Sequence, residues 1–191
     1  MAQAAHKLII ITAPSGAGKT SITRYLLEKY PLLSFSVSAA TRAPRGKEQD
    51  GIDYHFISEE AFKAHIAADD FLEYEMVYAG KYYGTLKAEM NRIWALSKIP
   101  MLDIDVKGAM KVQQQYSNNC LSIFIKPPSI EALKSRLENR GTETPESLEM
   151  RLNKASFELS FQENFNCIIT NDNLLEACIE TETVIKDFLG W

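Results

Sequence analysis

The segment Ala13-Pro14-Ser15-Gly16-Ala17-Gly18-Lys19-Thr20 follows an apolar run, Leu8 to Ile11, and precedes Ile22, Leu26 and Tyr30 at spacings of four. Glycines at 16 and 18 let the backbone turn so that successive N–H groups face an anion, and a helix start adds partial positive charge. In such a phosphate-binding loop Lys19 reaches the β- and γ-phosphates of a nucleoside triphosphate, and the Thr20 hydroxyl can ligate Mg²⁺. The strict pattern begins with Gly where this chain has Ala13. Alanine loses easy access to positive φ, so the loop must not require it there. The alternative is an ordinary glycine-rich turn from strand to helix.

Two further groups of residues carry charge suited to phosphate chemistry. In Leu102-Asp103-Ile104-Asp105-Val106, strand alternation puts Asp103 and Asp105 on one face. Adjacent anions are costly to bury unless a divalent cation or a donor-rich ligand offsets them. A Walker-B-like role for this acid pair beside Lys19 is then expected; capping of the next helix, or pairing with basic residues, is the alternative. Five arginines carry no assigned carboxylate partner. Arg42 and Arg45 lie in Thr41-Arg42-Ala43-Pro44-Arg45, Arg136 and Arg140 are four apart, and Arg151 lies beyond a polar break. Singly each reads as a solvated surface charge. Together they form a set for phosphoryl transfer between two anionic substrates, where the protein aligns phosphates and neutralises charge.

The elements that must position these residues alternate between strand and helix. Strands are expected at Leu8–Ile11, Phe35–Ala40, Met101–Val106, Leu121–Ile125 and Cys167–Ile169. Helices are expected from about 19 to 30, from Ser58, from a Thr85 cap to about Lys98, over 107–116, from Ser129 through Arg140, from Thr144-Pro145 to about 163, and at the C-terminus with Leu175, Ile179 and Ile185. Phe71–Tyr78 alternates, with Leu72, Tyr74, Met76 and Tyr78 on one face and Glu73 and Glu75 on the other. A turn at Ala79-Gly80 makes it the first arm of a hairpin. The fold class is therefore α/β: a parallel five-stranded sheet flanked by helices, with an antiparallel insertion. Its ligands bind beyond the carboxyl ends of the strands.

Composition narrows the classes of function. The 191 residues are 46% hydrophobic and 24% charged with net charge −4, which suits one compact unit or a core with small lobes and argues against a nonspecific nucleic-acid binder. No apolar stretch approaches the roughly 18 residues of a membrane span, and Leu8–Ile11 is too short for a signal-peptide core. Cys120, Cys167 and Cys178 show neither disulfide nor zinc spacing and read as reduced, buried thiols of a cytoplasmic protein.

Across nearly its whole length the sequence closely resembles the guanylate kinase family. The resemblance rests on Ala13–Thr20, Ser36-Val37-Ser38, Thr41–Arg45, Gly51-Ile52-Asp53-Tyr54, Tyr82-Tyr83-Gly84-Thr85, Leu102–Val106 and Arg136-Leu137-Glu138-Asn139-Arg140-Gly141-Thr142, in that order. It implies a P-loop core (1–33, 86–127 and 156–191), an inserted mixed or antiparallel GMP-binding lobe (34–85) and a helical lid (128–155). It also implies ATP-dependent phosphorylation of GMP and dGMP, with Mg²⁺ held by Thr20 and Asp103, partly through water.

By match to the family's motifs, Ala13, Pro14, Ser15, Gly16, Ala17, Gly18, Lys19, Thr20 and Asn171 bind ATP, with Asn171 near the adenine. Arg42, Arg45, Tyr54 and Tyr83 hold the GMP phosphate. Ser38, Glu73 and Thr85 read guanine, and Asp103 and Asp105 lie near the nucleotide. Lys19, Arg42, Arg136, Arg140 and Arg151 are the catalytic residues. Family members often carry Ser where this chain has Thr85, which keeps the hydroxyl.

Glu73 is the most diagnostic of these. An ionised carboxylate only accepts hydrogen bonds, guanine presents N1–H and N2–H₂ side by side, and adenine presents a lone pair at N1. The alternative for Glu73 is a solvent-facing strand position. The partners expected are small molecules, with no membrane or nucleic acid; a homo-oligomer is compatible with the sequence. Two other classes compete: a non-catalytic guanylate-kinase-like protein-binding module, or a P-loop kinase of another nucleotide or a sugar phosphate. A GTPase switch is disfavoured, because no Asn-Lys-x-Asp signature occurs.

Overall fold

The computed structural model describes residues 6–78, 80–139 and 144–191. In chain order the elements begin with β1 (Leu8–Thr12), α1 (Lys19–Lys29), β2 (Leu33–Phe35), β3 (Ala39–Ala40), β4 (His55–Phe56) and α2 (Glu59–Ala67). They continue with β5 (Phe71–Tyr78), β6 (Lys81–Leu86), α3 (Lys87–Ala95), β7 (Ile99–Asp103) and α4 (Val106–Tyr116). Last come β8 (Cys120–Lys126), α5 (Ile130–Glu138), α6 (Pro145–Leu159), β9 (Cys167–Thr170) and α7 (Leu174–Leu189). A five-stranded sheet has the order β2-β7-β1-β8-β9, and a four-stranded sheet the order β4-β3-β6-β5. The first is the parallel α/β sheet expected; in the second, β3 pairs parallel with β4, whereas β6 pairs antiparallel with β3 and β5. Among the described residues no helix is long and apolar enough to cross a membrane.

Chain contacts divide the protein into two compact units. One comprises Leu32–Cys120 with the N-terminal stretch through Leu8; the other comprises Ile9–Pro31 and Leu121–Trp191. In the first, β2 runs parallel to β7 with Leu33 opposite Ile99. The four-stranded sheet packs Ala39 and Phe71 against Phe62 of α2, with the Phe62 and Phe71 rings stacked at 4.3 Å. Ser58 caps α2 by accepting from the Ala61 N–H, as its sequence position suggests. Gly108, Lys111 and Gln115 of α4 share one helical face by their spacing. That face meets the glutamate side of β5: Lys111 ion-pairs with Glu75, and the Gln115 amide donates to the Leu72 carbonyl.

In the second unit β8 and β9 pair in parallel. Ser129 caps α5, while Thr144 and Ser147 form a capping box ahead of Pro145 in α6. Leu133 and Leu137 of α5 pack against Ala155 of α6. The Glu182 carboxylate of α7 gathers Tyr25 and Lys29 of α1 together with Tyr30, pinning the last helix onto the first.

Several expectations are corrected. Phe35–Ala40 is not one strand; the chain leaves β2 after Phe35 and enters the other sheet at Ala39. Strand β7 stops at Asp103, so Asp103 and Asp105 do not share a strand face. Asp105 is the N-cap of α4, accepting from the Gly108 N–H at 2.8 Å. Thr85 caps nothing: it is fully buried in β6, and α3 starts after Leu86 with no side-chain cap. Helix α6 ends at Leu159, short of 163.

In β5 the expected apolar side is broken, because register shifts flank Leu72 and Val77. Phe71, Leu72 and Glu73 are consecutively buried while Tyr74 and Met76 are exposed, as an extra residue in one strand allows. In α7 the inward stripe is Ala177, Cys178, Thr181 and Ile185, leaving Leu175 and Ile179 exposed. Of the three free cysteines, Cys167 is half-buried rather than buried. Arg140 and Gly141–Glu143 lie outside the described residues, so the Arg136–Arg140 helix-face pair does too.

Candidate active site

The glycine-rich loop is built by backbone geometry that only its glycines tolerate. Gly16 and Gly18 have φ of 96° and 100°, and the Ala17 N–H closes a turn onto the Pro14 carbonyl at 3.0 Å. Ala13 is not among the described residues with positive φ, so its departure from the strict pattern costs the loop nothing. Helix α1 starts at Gly18 with no side-chain cap and no acid in its first turn. In contrast, α2, α4, α5, α6 and α7 are each capped by a side chain. The N-cap position next to Lys19 and Thr20 thus supplies no capping side chain, as at a helix-terminal anion site.

Two residues distant in sequence brace this loop, and a third holds the segment that carries one of them. Asn171, just past β9, is buried; its Nδ2 donates to the Ala17 carbonyl at 2.7 Å, and its own N–H donates to the Lys126 carbonyl at 2.8 Å. Arg151 donates to Ser15 Oγ at 2.7 Å. Arg136 donates to the carbonyls of Asn171 and Asp172 at 2.8 and 3.3 Å. The structure therefore brings Arg151 and Asn171 to the loop and turns Arg136 to the chain behind it.

The second group of site residues lies on the four-stranded sheet. Thr41 exchanges hydrogen bonds with Tyr82: its N–H donates to the Tyr82 carbonyl, and its Oγ1 accepts from the Tyr82 N–H at 3.0 Å. This fixes the arginine loop on β6 and sets Arg42 beside Tyr83. The Arg42 side chain is only 7% exposed. It donates from Nε to the Tyr83 hydroxyl at 3.0 Å, and its guanidinium carbon lies 4.8 Å from the centre of the Tyr54 ring. Two further bonds run to Glu48, Nη1 to Oε2 at 2.5 Å and Nη2 to Oε1 at 2.8 Å. This bidentate pair raises the Arg42 pKa further and lowers that of Glu48, which also accepts from the Arg45 N–H.

Arg42 is thus not without a carboxylate partner, and Glu48 is a site residue that the sequence reading missed. Its only signal was its place three residues after Arg45 in the same loop. The Arg45 side chain stands exposed.

Two residues along β6, Thr85 faces Glu73 across the strand pair. Both its N–H and its hydroxyl donate to Glu73 Oε1, at 3.0 and 2.8 Å. Glu73 Oε2 accepts no hydrogen bond from the described residues. Burial, with the Asp105 carboxylate nearby, pushes the Glu73 pKa up to about 7 despite the two Thr85 bonds. Ser38 is buried just before β3, where its carbonyl accepts from the His55 N–H. Asp103 is half-buried at the end of β7. No group of three His, Cys, Asp or Glu side chains among the described residues could hold a metal ion.

A parallel α/β sheet whose first strand feeds a glycine-rich loop and an uncapped helix start, with a buried arginine and a buried acid on a second sheet, defines a P-loop phosphotransferase that takes a second anionic substrate. The family model for guanylate kinase matches residues 5–188, and the chain belongs to the guanylate kinase family. It is 46% identical over 184 residues to the guanylate kinase of Bacteroides fragilis, covering 96% of this chain and 90% of that one. It is 47% identical over 185 residues to that of Salinibacter ruber, covering 97% and 98%. Among solved structures it resembles guanylate kinase from Anaplasma phagocytophilum with a TM-score of 0.77 and 27% identity, over 97% of this chain and 87% of that one.

Proposed function

We propose that the protein transfers the γ-phosphoryl group of Mg²⁺-ATP reversibly to GMP, and to dGMP, giving ADP and GDP. Glu73 carries the guanine assignment. One oxygen of this buried acid is clamped by Thr85, while the other accepts nothing from the described residues. That second oxygen matches the adjacent N1–H and N2–H₂ donors of guanine and meets a lone pair in adenine, the kind of mismatch that yields strong discrimination. The anion-binding set of Arg42, Tyr54 and Tyr83 lies two residues, about 7 Å, along β6 from Thr85. A nucleoside monophosphate laid along β6 would offer its base to Glu73, Thr85 and Ser38 and its phosphate to Arg42, Arg45, Tyr54 and Tyr83. Asp103 and Asp105 would flank it.

The attacking oxygen of GMP is already anionic, so no strong general base is needed and catalysis is positioning plus charge neutralisation. Lys19 with the loop N–H groups would hold the ATP phosphates, and Arg42, Arg136, Arg140 and Arg151 would offset charge on the transferring group. Thr20 stands exposed at the second position of α1, whereas Asp105 is committed to capping α4. By the family resemblance we assign Mg²⁺ to the Thr20 hydroxyl and the Asp103 carboxylate, both hard oxygen donors of the kind this ion takes, in part through water. When bound, the ion neutralises charge on the β- and γ-phosphates.

Residues 1–33, 86–127 and 156–191 would act as the core, 34–85 as the GMP lobe and 128–155 as a lid that shuts water out. The setting we infer is purine nucleotide metabolism in the cytoplasm, consistent with three free thiols. The test is ADP formation in a coupled assay with Mg²⁺-ATP and, separately, GMP, dGMP, AMP, CMP and UMP. Activity with GMP and dGMP alone is expected. Activity with another acceptor instead would discard the base assignment, and no activity from folded protein would discard the kinase.

A further inference from the structure

Gly108 lies in the first turn of α4, and nothing about its own backbone calls for glycine. It is not among the glycines of positive φ, and the hydrogen bond from its N–H to Asp105 could be made by any residue but proline. A glycine in a helix also gives up stability relative to alanine. What the position does not tolerate is a side chain. A Cβ built on Gly108 falls 2.4 Å from Glu73 Oε2 and 3.1 Å from Glu73 Cδ, where Glu73 would have to shift. Oε1 cannot yield freely, because the Thr85 N–H and hydroxyl both hold it.

We propose that Gly108 is a specificity-positioning residue: its missing side chain is the space that sets Glu73 Oε2 at the height where guanine N1–H and N2–H₂ meet it. The inference deepens the guanine reading above and rests on it. The carboxylate is located from two sides. Thr85 on β6 draws one oxygen across the strand pair, and the bare backbone of α4 sets how far the other may swing. The same helix turn fixes Asp105 through the Gly108 N–H, so one residue locates both acids. Guanine reading then depends on an inter-element distance, between β5 and the first turn of α4, as well as on the presence of an acid.

The experiment compares Gly108→Ala with the unaltered chain. Its readouts are kcat and KM for GMP, KM for ATP, the preference for GMP over inosine monophosphate (which lacks the 2-amino group), and the thermal midpoint. The expected result is a KM for GMP raised at least tenfold and a GMP preference cut at least fivefold. KM for ATP should stay within twofold, and any fall in midpoint from the clash with Glu73 should be relieved in the second variant. A second variant, Gly108→Ala with Glu73→Asp, shortens the acid by one methylene and makes room for the new methyl group. Its loss in kcat/KM for GMP should be smaller than the product of the two single losses.

Gly108→Ala that keeps both KM for GMP and the GMP preference within twofold overturns the inference. So does multiplicative behaviour of the pair, or a fall in midpoint that Glu73→Asp does not relieve. A chain that phosphorylates another acceptor but not GMP defeats the guanine reading itself, and this inference with it, before any variant is made.

Discussion

Replacing Glu73 by glutamine should push stability and substrate recognition in opposite directions. Burial raises this carboxyl from 4.5 to about 7, so the folded protein holds the proton more tightly than the unfolded chain does. By linkage, the neutral acid's contribution is fully present below about pH 4.5 and is lost as the pH rises through about 7. At about 1.4 kcal/mol per pH unit, ionisation costs the substrate-free protein about 3 kcal/mol by pH 8. Glutamine keeps the shape and never ionises; its carbonyl can accept from Thr85 while its amide faces Asp105. The stability of Glu73→Gln relative to the parent should therefore climb by up to about 3 kcal/mol between pH 5 and pH 8.

Recognition should fail at the same time, because the amide turns a donor toward the donors of guanine. Two hydrogen bonds to a charged acceptor, at about 1.5–3 kcal/mol each, correspond to a loss on the order of 10²–10⁴-fold in kcat/KM for GMP. Urea denaturation of both proteins at pH 5 and pH 8, beside the coupled assay, measures both quantities. A stability difference that does not grow with pH would show that Glu73 ionises as easily as an exposed acid. Kinetics for GMP within threefold of the parent would remove Glu73 from the base pocket.

The same ionisation predicts that KM for GMP rises toward tenfold per pH unit below about pH 7, with proton release on GMP binding at pH 6 detectable by calorimetry in buffers of different ionisation enthalpy; a flat profile from pH 6 to 8 refutes it. Gly18→Ala would place a Cβ 2.0 Å from the Asn171 amide nitrogen at φ 100°. It should cost at least about 2 kcal/mol and weaken ATP binding tenfold or more, read by denaturation and titration. Normal ATP affinity in that variant would mean the loop can be rebuilt without its brace. Glu48→Ala leaves the buried Arg42 fork short of two acceptors and should destabilise the substrate-free protein by about 1–3 kcal/mol. Saturating GMP should narrow that gap by offering phosphate oxygens, so a thermal-shift gap unchanged by GMP counts against Arg42 as a phosphate ligand.

What was legible in the sequence is what neighbouring residues decide among themselves. The phosphate loop could be read because its glycines, lysine and hydroxyl are contiguous, and because the turn they form needs positive φ at Gly16 and Gly18. The caps at Ser58, Ser129 and Thr144 could be read because a cap bonds only two or three residues ahead. Family motifs directed attention to Glu73, Thr85 and Arg42, yet their local surroundings misled. Thr85 looks like a helix cap until β5 is paired opposite it. Asp105 looks like a strand residue until β7 ends two positions earlier, and β5 looks evenly alternating until Leu72 enters as an extra residue.

The sequence by itself determined the class of protein: the loop chemistry, the alternation of strands and helices, and an ordered set of motifs. Only the tertiary structure decided how the candidate pockets are tuned. Glu73 acquires its high pKa from burial beside Asp105, 32 positions away, and Arg42 from bidentate pairing with Glu48 in a loop that has no periodicity. Gly18 owes its necessity in part to Asn171, and Gly108 to Glu73. Such contacts join residues by where separate elements pack. Hydrophobic periodicity and turn chemistry carry no record of that distance, because each describes only a stretch of chain a few residues long.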